Sequence, residues 1–109
     1  FQIAGMTVSC RRSLHSVPTA GLLIRDASVC LGWSGDSEFE RDHVDWLSQA
    51  DCIVHECGDH FKHTRWDELD TLPEQIKSKI RLIHLPDGAE VPEGPMRPLV
   101  EGEVVHIGS

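Results

Sequence analysis

Short apolar runs, each closed by a polar or turn-forming residue, constrain this chain more than any other feature. Cys52-Ile53-Val54-His55-Glu56 and Arg81-Leu82-Ile83-His84-Leu85 are too short for helices and too apolar for surface loops, so each predicts a buried strand. Residues 19–25 and 27–33 are β-rich runs joined tightly at Asp26, the pattern of a hairpin. Residues 1–14 read as strand, in two pieces if the run breaks at Gly5. Between these runs the period changes. Residues 39–49 predict a helix with Val44, Leu47 and Trp46 on its apolar side and Glu40, Arg41, Asp45 and Ser48 toward water. The turn-rich Ser34-Gly35-Asp36-Ser37 is expected to cap it. Residues 66–72 predict one or two helical turns, and Pro73 opens a helix that closes on the basic Lys77 and Lys79. Residues 86–98 form a loop dense in Pro and Gly, and 103–107 predict a closing strand. The order is strand, hairpin, helix, strand, helix, strand, strand, which is an α/β (α+β) arrangement. With 109 residues, no internal repeat and no long linker, a single domain over 1–109 is expected.

Several strands carry a polar residue at their C-terminal ends: Asp36, Glu56 and His84. In sheets flanked by helices, those ends are where sites are assembled. His15 follows the first strand region. Each of these residues has a plain structural role available. Asp36 makes a good helix N-cap, His84 a hydrogen-bonded strand histidine, and His15 a loop histidine. Together, two imidazoles and a carboxylate are a reasonable ligand set for zinc or a similar ion. The residues alone leave both readings open.

Charge narrows the partners. Asp and Glu number 18 against 10 Lys and Arg, a formal net charge of −8, so a diffuse basic surface for nucleic acid is not expected. An enzyme acting on a phosphodiester stays open, because a bound ion supplies positive charge locally. No stretch is long and apolar enough to span a bilayer, so no membrane partner is expected. The four cysteines form no CxxC pair; Cys10, Cys30 and Cys52 lie in apolar runs and read as buried thiols in a reducing, cytoplasmic setting. Trp33, Trp46 and Trp66 read as core or interface anchors, since no basic residues interleave with them. His43 is expected on the solvent side of its helix and His106 packed in the closing strand, while His60 has no motif support. A chain opening at Phe1 in strand-like sequence reads as processed, excised or fragmentary.

Four segments taken in order carry a resemblance: Thr19-Ala20-Gly21-Leu22-Leu23-Ile24, Gly35-Asp36-Ser37, Ala50-Asp51-Cys52-Ile53-Val54-His55-Glu56 and Ile83-His84. From about His15 onwards the chain resembles the second half of the metallo-β-lactamase fold, and most of all its ribonuclease Z and phosphodiesterase branch. The resemblance implies the C-terminal half of a four-layer αββα sandwich, a single partial domain. It implies His15 as a ligand of a first metal ion, Asp36 as the carboxylate bridging two ions, and His84 as a ligand of the second. The ions are zinc, or manganese or iron in its place, and the nucleophile is a metal-bridging hydroxide. His55-Glu56-Cys57 and His63-Thr64 resemble the two loops that supply a Glu–His pair, which implies that Glu56 and His63 together orient a proton donor for the leaving oxygen. Cys57-Gly58 stands where the branch has Ala-Thr, and a Ser between His63 and Thr64 is absent.

The family's His-x-His-x-Asp-His run, source of four ligands, has no counterpart here; His60-Phe61-Lys62-His63 has the wrong spacing and follows the bridging Asp. One carboxylate and two imidazoles do not complete two metal sites, so this chain alone is expected to bind metal weakly or not at all and to be inactive. Three readings follow: part of a phosphodiester hydrolase, part of a thioester or lactone hydrolase, or a non-catalytic binding or assembly module that kept the fold. A half-sandwich would also leave one sheet face bare. Ile24, Val29, Leu31, Ile53, Val54, Leu82 and Ile83 are expected to contribute to it, with the N-terminal half of the fold or a second copy (a homodimer) as the cover.

Overall fold

In the computed structural model, residues 1–59 and 62–108 are described. Seven strands form one sheet in simple sequence order: β1 (Gln2–Ile3), β2 (Met6–Arg12), β3 (Ala20–Asp26), β4 (Val29–Trp33), β5 (Cys52–Glu56), β6 (Ile80–Ile83) and β7 (Arg97–Pro98). The first four pair antiparallel, β1 with β2 and β3 with β4 through tight turns, and β4 to β7 pair parallel. Ala4 and Gly5, both at positive φ, make the turn that breaks the N-terminal run. Parallel pairing needs crossovers, supplied by α1 (Arg41–Leu47) between β4 and β5 and by α2 (Trp66–Leu69) and α3 (Glu74–Lys77) between β5 and β6.

Two crossovers of one hand stepping in one direction along the sheet put their helices on the same face. The core lies there: Leu23, Ile53, Ile80 and Leu82 from the strands meet Val44, Leu47, Leu69 and Leu72 from the crossover segments. Gly32 allows the close approach, since a Cβ on it would lie 3.1 Å from Cβ of Ala50 and 3.3 Å from Cδ2 of Leu47.

Among the described residues the opposite face has no helix. Leu22, Ile24, Leu31 and Ile83 are half-buried on it and Trp33 is 40 % exposed. Of the apolar residues expected on a bare face, Ile53 and Leu82 instead point into the helix-covered core, because strand neighbours alternate. Cys10, expected buried, is exposed, since β2 places it beside Leu22 on the helix-free face.

Three further expectations are corrected. The first helix is shorter than 39–49 and its N-cap is Glu40, with no side-chain capping bond. The serines expected to cap it are engaged elsewhere, Ser34 with β5 and Ser37 with Glu56. Residues 103–107 form no strand. The pairing on β6 is taken by Arg97 and Pro98, and proline ends such an edge because it has no N–H to donate. His106 is exposed rather than packed. Residues beyond β7 instead return over the helix-free face: Glu103 meets Arg81 at 2.7 Å, and a Cβ on Gly108 would lie 3.3 Å from Val29. Among the described residues no helix is long and apolar enough to cross a membrane.

Ile53 is fully buried between two neighbouring strands at the centre of the core. Truncation as Ile53→Ala should cost about 2–5 kcal/mol, read as a lower urea midpoint with unchanged slope.

Candidate metal centre

The C-terminal ends of β4, β5 and β6 lie side by side because those strands are parallel and in near register, so the residues leaving them converge. Asp36 leaves β4 through Gly35, whose φ is +66° and whose added Cβ would run into the carbonyl oxygen of Ala20. Only glycine fits that turn. Its far side is pinned by Ser13 Oγ and Thr19 Oγ1, which donate to the Asp36 carbonyl at 2.7 and 2.9 Å. Glu56 ends β5 with its side chain only 2 % exposed. Its carboxylate accepts the Ser37 backbone N–H and, through both oxygens, the Nδ1–H of His63 at 2.9 Å. Thr64, fully buried, donates to the Ser37 carbonyl at 2.8 Å and so joins the loop bearing His63 to the loop bearing Asp36. His84 follows β6 with φ at +69°, a left-handed conformation that turns the chain out of the strand.

Asp36, Glu56, His63 and His84 each offer a ligand atom, and these atoms all lie within 4.8 Å of one another. His84 Nδ1 is 3.7 Å from Asp36 Oδ1 and 3.6 Å from Glu56 Oε2. Those distances exceed a hydrogen bond. They are close to the roughly 3.4 Å that separates two ligands bound tetrahedrally at ~2.1 Å from one zinc ion. Carboxylate and imidazole donors of this kind suit zinc, manganese or iron. A cleft of about 430 Å³, bordered by Trp33, Gly35, Asp36 and Ile83, opens onto the group.

The structure thus brings Asp36, Glu56, His63 and His84 together. His15 stands beside them: its ring centroid is 5.1 Å from that of His63, and its Nδ1 is 3.3 Å from the Lys62 carbonyl. His60 lies outside the described residues. The sequence reading missed His43, which is buried rather than solvent-facing. The signal available was its place three residues before Trp46, on whose ring it stacks with centroids 5.8 Å apart. Burial and then the neighbouring Glu56 push the Cys57 thiol up to about 11.

A family model, "Anti-Pycsar protein Apyc1", matches residues 1–98. The chain belongs to that family. No curated protein matches the Apyc1-family chain by sequence. Among solved structures it is similar to the metallo-β-lactamase fold protein YhfI from Bacillus subtilis, with TM-score 0.71 and 19 % identity over 83 % of this chain and 41 % of that one. It is also similar to the short form of human tRNase Z, with TM-score 0.61 and 19 % identity over 78 % of this chain and 38 % of that one. This member of the Apyc1 family therefore has the metallo-β-lactamase fold and spans about two-fifths of the length of these neighbours.

Two buried histidines make the folded chain sensitive to acid. Burial lowers the pKa of His55 to about 4, reinforced by nearby His43 and opposed by its hydrogen bond to the Glu56 carbonyl. Burial also lowers that of His43. Unfolded imidazoles take protons near pH 6.5 while these do not, so stability is full above that pH and falls as the pH drops toward 4. Unfolding free energies from urea melts at pH 7.5 and pH 4 should differ by on the order of 3 kcal/mol from His55 alone, with the lower value at pH 4.

Proposed function

We propose that this protein is part of a metal-dependent hydrolase that cleaves phosphodiester bonds, of the ribonuclease Z and phosphodiesterase kind, and that it serves an anti-Pycsar role by that chemistry. The observation supporting this reading is the convergence of Asp36, Glu56, His63 and His84 at the strand ends of a metallo-β-lactamase fold. Asp36 and His84 would hold the metal from this chain, with His15 adjacent. Zinc, or manganese or iron, when bound there lowers the pKa of water and stabilises charge on the attacked phosphoryl group.

The remaining steps belong to side chains. Glu56 faces His63 Nδ1 with both oxygens and so orients the ring. Nε2–H is then the proton donor for the departing oxygen, with Glu56 fixing the ring. His-x-His-x-Asp-His ligands from an N-terminal half would complete the centre. That half, or a second copy in a homodimer, would cover the helix-free sheet face on which Trp33 and its half-buried neighbours lie. Four free cysteines suit a reducing, cytoplasmic setting.

The test is hydrolysis of bis(p-nitrophenyl) phosphate and of a dinucleoside monophosphate, with Zn²⁺ or Mn²⁺, by this chain joined to a polypeptide carrying the His-x-His-x-Asp-His half. Asp36→Asn should reduce both reactions to background. His63→Ala should slow the dinucleotide by ~10²-fold and the nitrophenyl ester little, since only the alkoxide leaving group needs a proton. No metal-dependent hydrolysis of either compound would sink the proposal. Separately, sedimentation of the chain at micromolar concentration should show a dimer, or a complex once the other half is added. A lone monomer under both conditions would contradict the covered-face reading.

A further inference from the structure

His43 is 1 % exposed, yet it is not among the grouped metal-ligating candidates, and nothing in the proposed chemistry uses it. Its two ring nitrogens have partners of opposite kind. Nε2 lies 2.9 Å from the Ser34 carbonyl oxygen, which only accepts. Nδ1 lies 3.1 Å from Arg11 Nη1, which only donates. One form of the ring satisfies both: neutral, with the proton on Nε2. Protonating Nδ1 would set two donors against each other, and the low pKa of the buried ring agrees with the neutral form. Arg11 is held in turn by Glu40, its Nη1 donating at 2.8 Å, and His55 is the other titratable group near the ring.

Packing fixes the ring as firmly as hydrogen bonding does. One side stacks on Trp46. Gly21 also lies against the ring, and a Cβ there would come 2.6 Å from Cε1 and 2.8 Å from Nε2. The carbonyl that His43 grips belongs to the residue joining the two catalytic loops. Ser34 donates its N–H to Val54 at 2.9 Å, accepts the Glu56 N–H on Oγ at 2.9 Å, and donates Oγ–H to the Gly35 carbonyl at 2.8 Å. Ser34 therefore sets where both Asp36 and Glu56 begin, and its own carbonyl is fixed by His43.

We propose that His43 is a positioning residue: its Nε2–H, oriented by Arg11, anchors Ser34 and thereby holds Asp36 and Glu56 in register for metal binding. The proposal rests on the metal-centre reading for its purpose, but the anchoring can be measured without a metal. Long-range ¹⁵N spectra at pH 7 should show His43 protonated on Nε2 and bare on Nδ1; protonation on Nδ1 would overturn the proposal. His43→Leu keeps the bulk and loses the bond, whereas His43→Gln restores a donor near the same place. In the Leu variant, hydrogen exchange of the Glu56 and Ser37 amides should quicken by at least about tenfold relative to the Ile53 amide, which bonds Lys79 in the same sheet. The Gln variant should recover most of that protection. Uniform acceleration of all three amides would mean a merely structural role and would overturn the proposal, even if the Leu variant is less stable overall. Co²⁺ titration then separates the two readings. If the wild-type chain binds Co²⁺, His43→Leu should weaken binding about tenfold or more and His43→Gln much less. If wild type and Asp36→Asn are alike in not binding, it is the single-chain metal site that fails, and the exchange data still decide the role of His43.

Discussion

A carboxylate buried at the end of a central strand costs several kcal/mol unless opposing groups surround it, and Glu56 is such a carboxylate. The surrounding architecture follows from that requirement. One oxygen draws in the backbone N–H of Ser37, which fixes the loop after β4. Both oxygens engage His63, which brings back the loop after β5, and His84 faces the same group from the end of β6. Three loops that are separate in sequence are thus organised around one side chain. Ser34 Oγ accepts the Glu56 backbone N–H, and Thr64 donates to the Ser37 carbonyl, so both brace the group without touching its carboxylate.

The placement of those loops depends on strand direction. Parallel strands point their C-terminal ends the same way, so β4, β5 and β6 deliver Asp36, Glu56 and His84 to one edge of the sheet. The antiparallel part of the sheet contributes support: Ser13 and Thr19, in the loop between β2 and β3, donate to the Asp36 carbonyl, and Arg11 of β2 reaches the buried His43.

The two faces of the sheet differ for a related reason. Both crossovers lie on one side, so that side has a closed apolar core while the other keeps Trp33 and its neighbours partly open. The ligand cluster sits at the strand ends, with its cleft bordered by Trp33 and Ile83 from the open side. A partner seated on that face, as proposed above, would also border the cleft, which would link assembly to access to the site.

Local sequence determined the strands and the polar residues at their ends. A five-residue run of three apolar residues closed by His-Glu has few ways to be satisfied, and a Gly-Asp step after a strand has few conformations, so β5, Glu56, Gly35 and Asp36 were legible from the chain alone. The same local logic failed where a distant partner decided the outcome. Residues 103–107 are rich in β-branched residues like a strand, but Arg97 and Pro98 hold the edge of β6. Ser34 and Ser37 look like helix caps, but β5 and Glu56 engage them first. His43 sits among charged residues and reads as exposed, yet Arg11 from another strand and the Ser34 carbonyl satisfy both its nitrogens and permit its burial. Residue type and spacing determine which groups need a partner; only the tertiary structure decides which partner arrives, because the competing donors and acceptors lie tens of residues away along the chain.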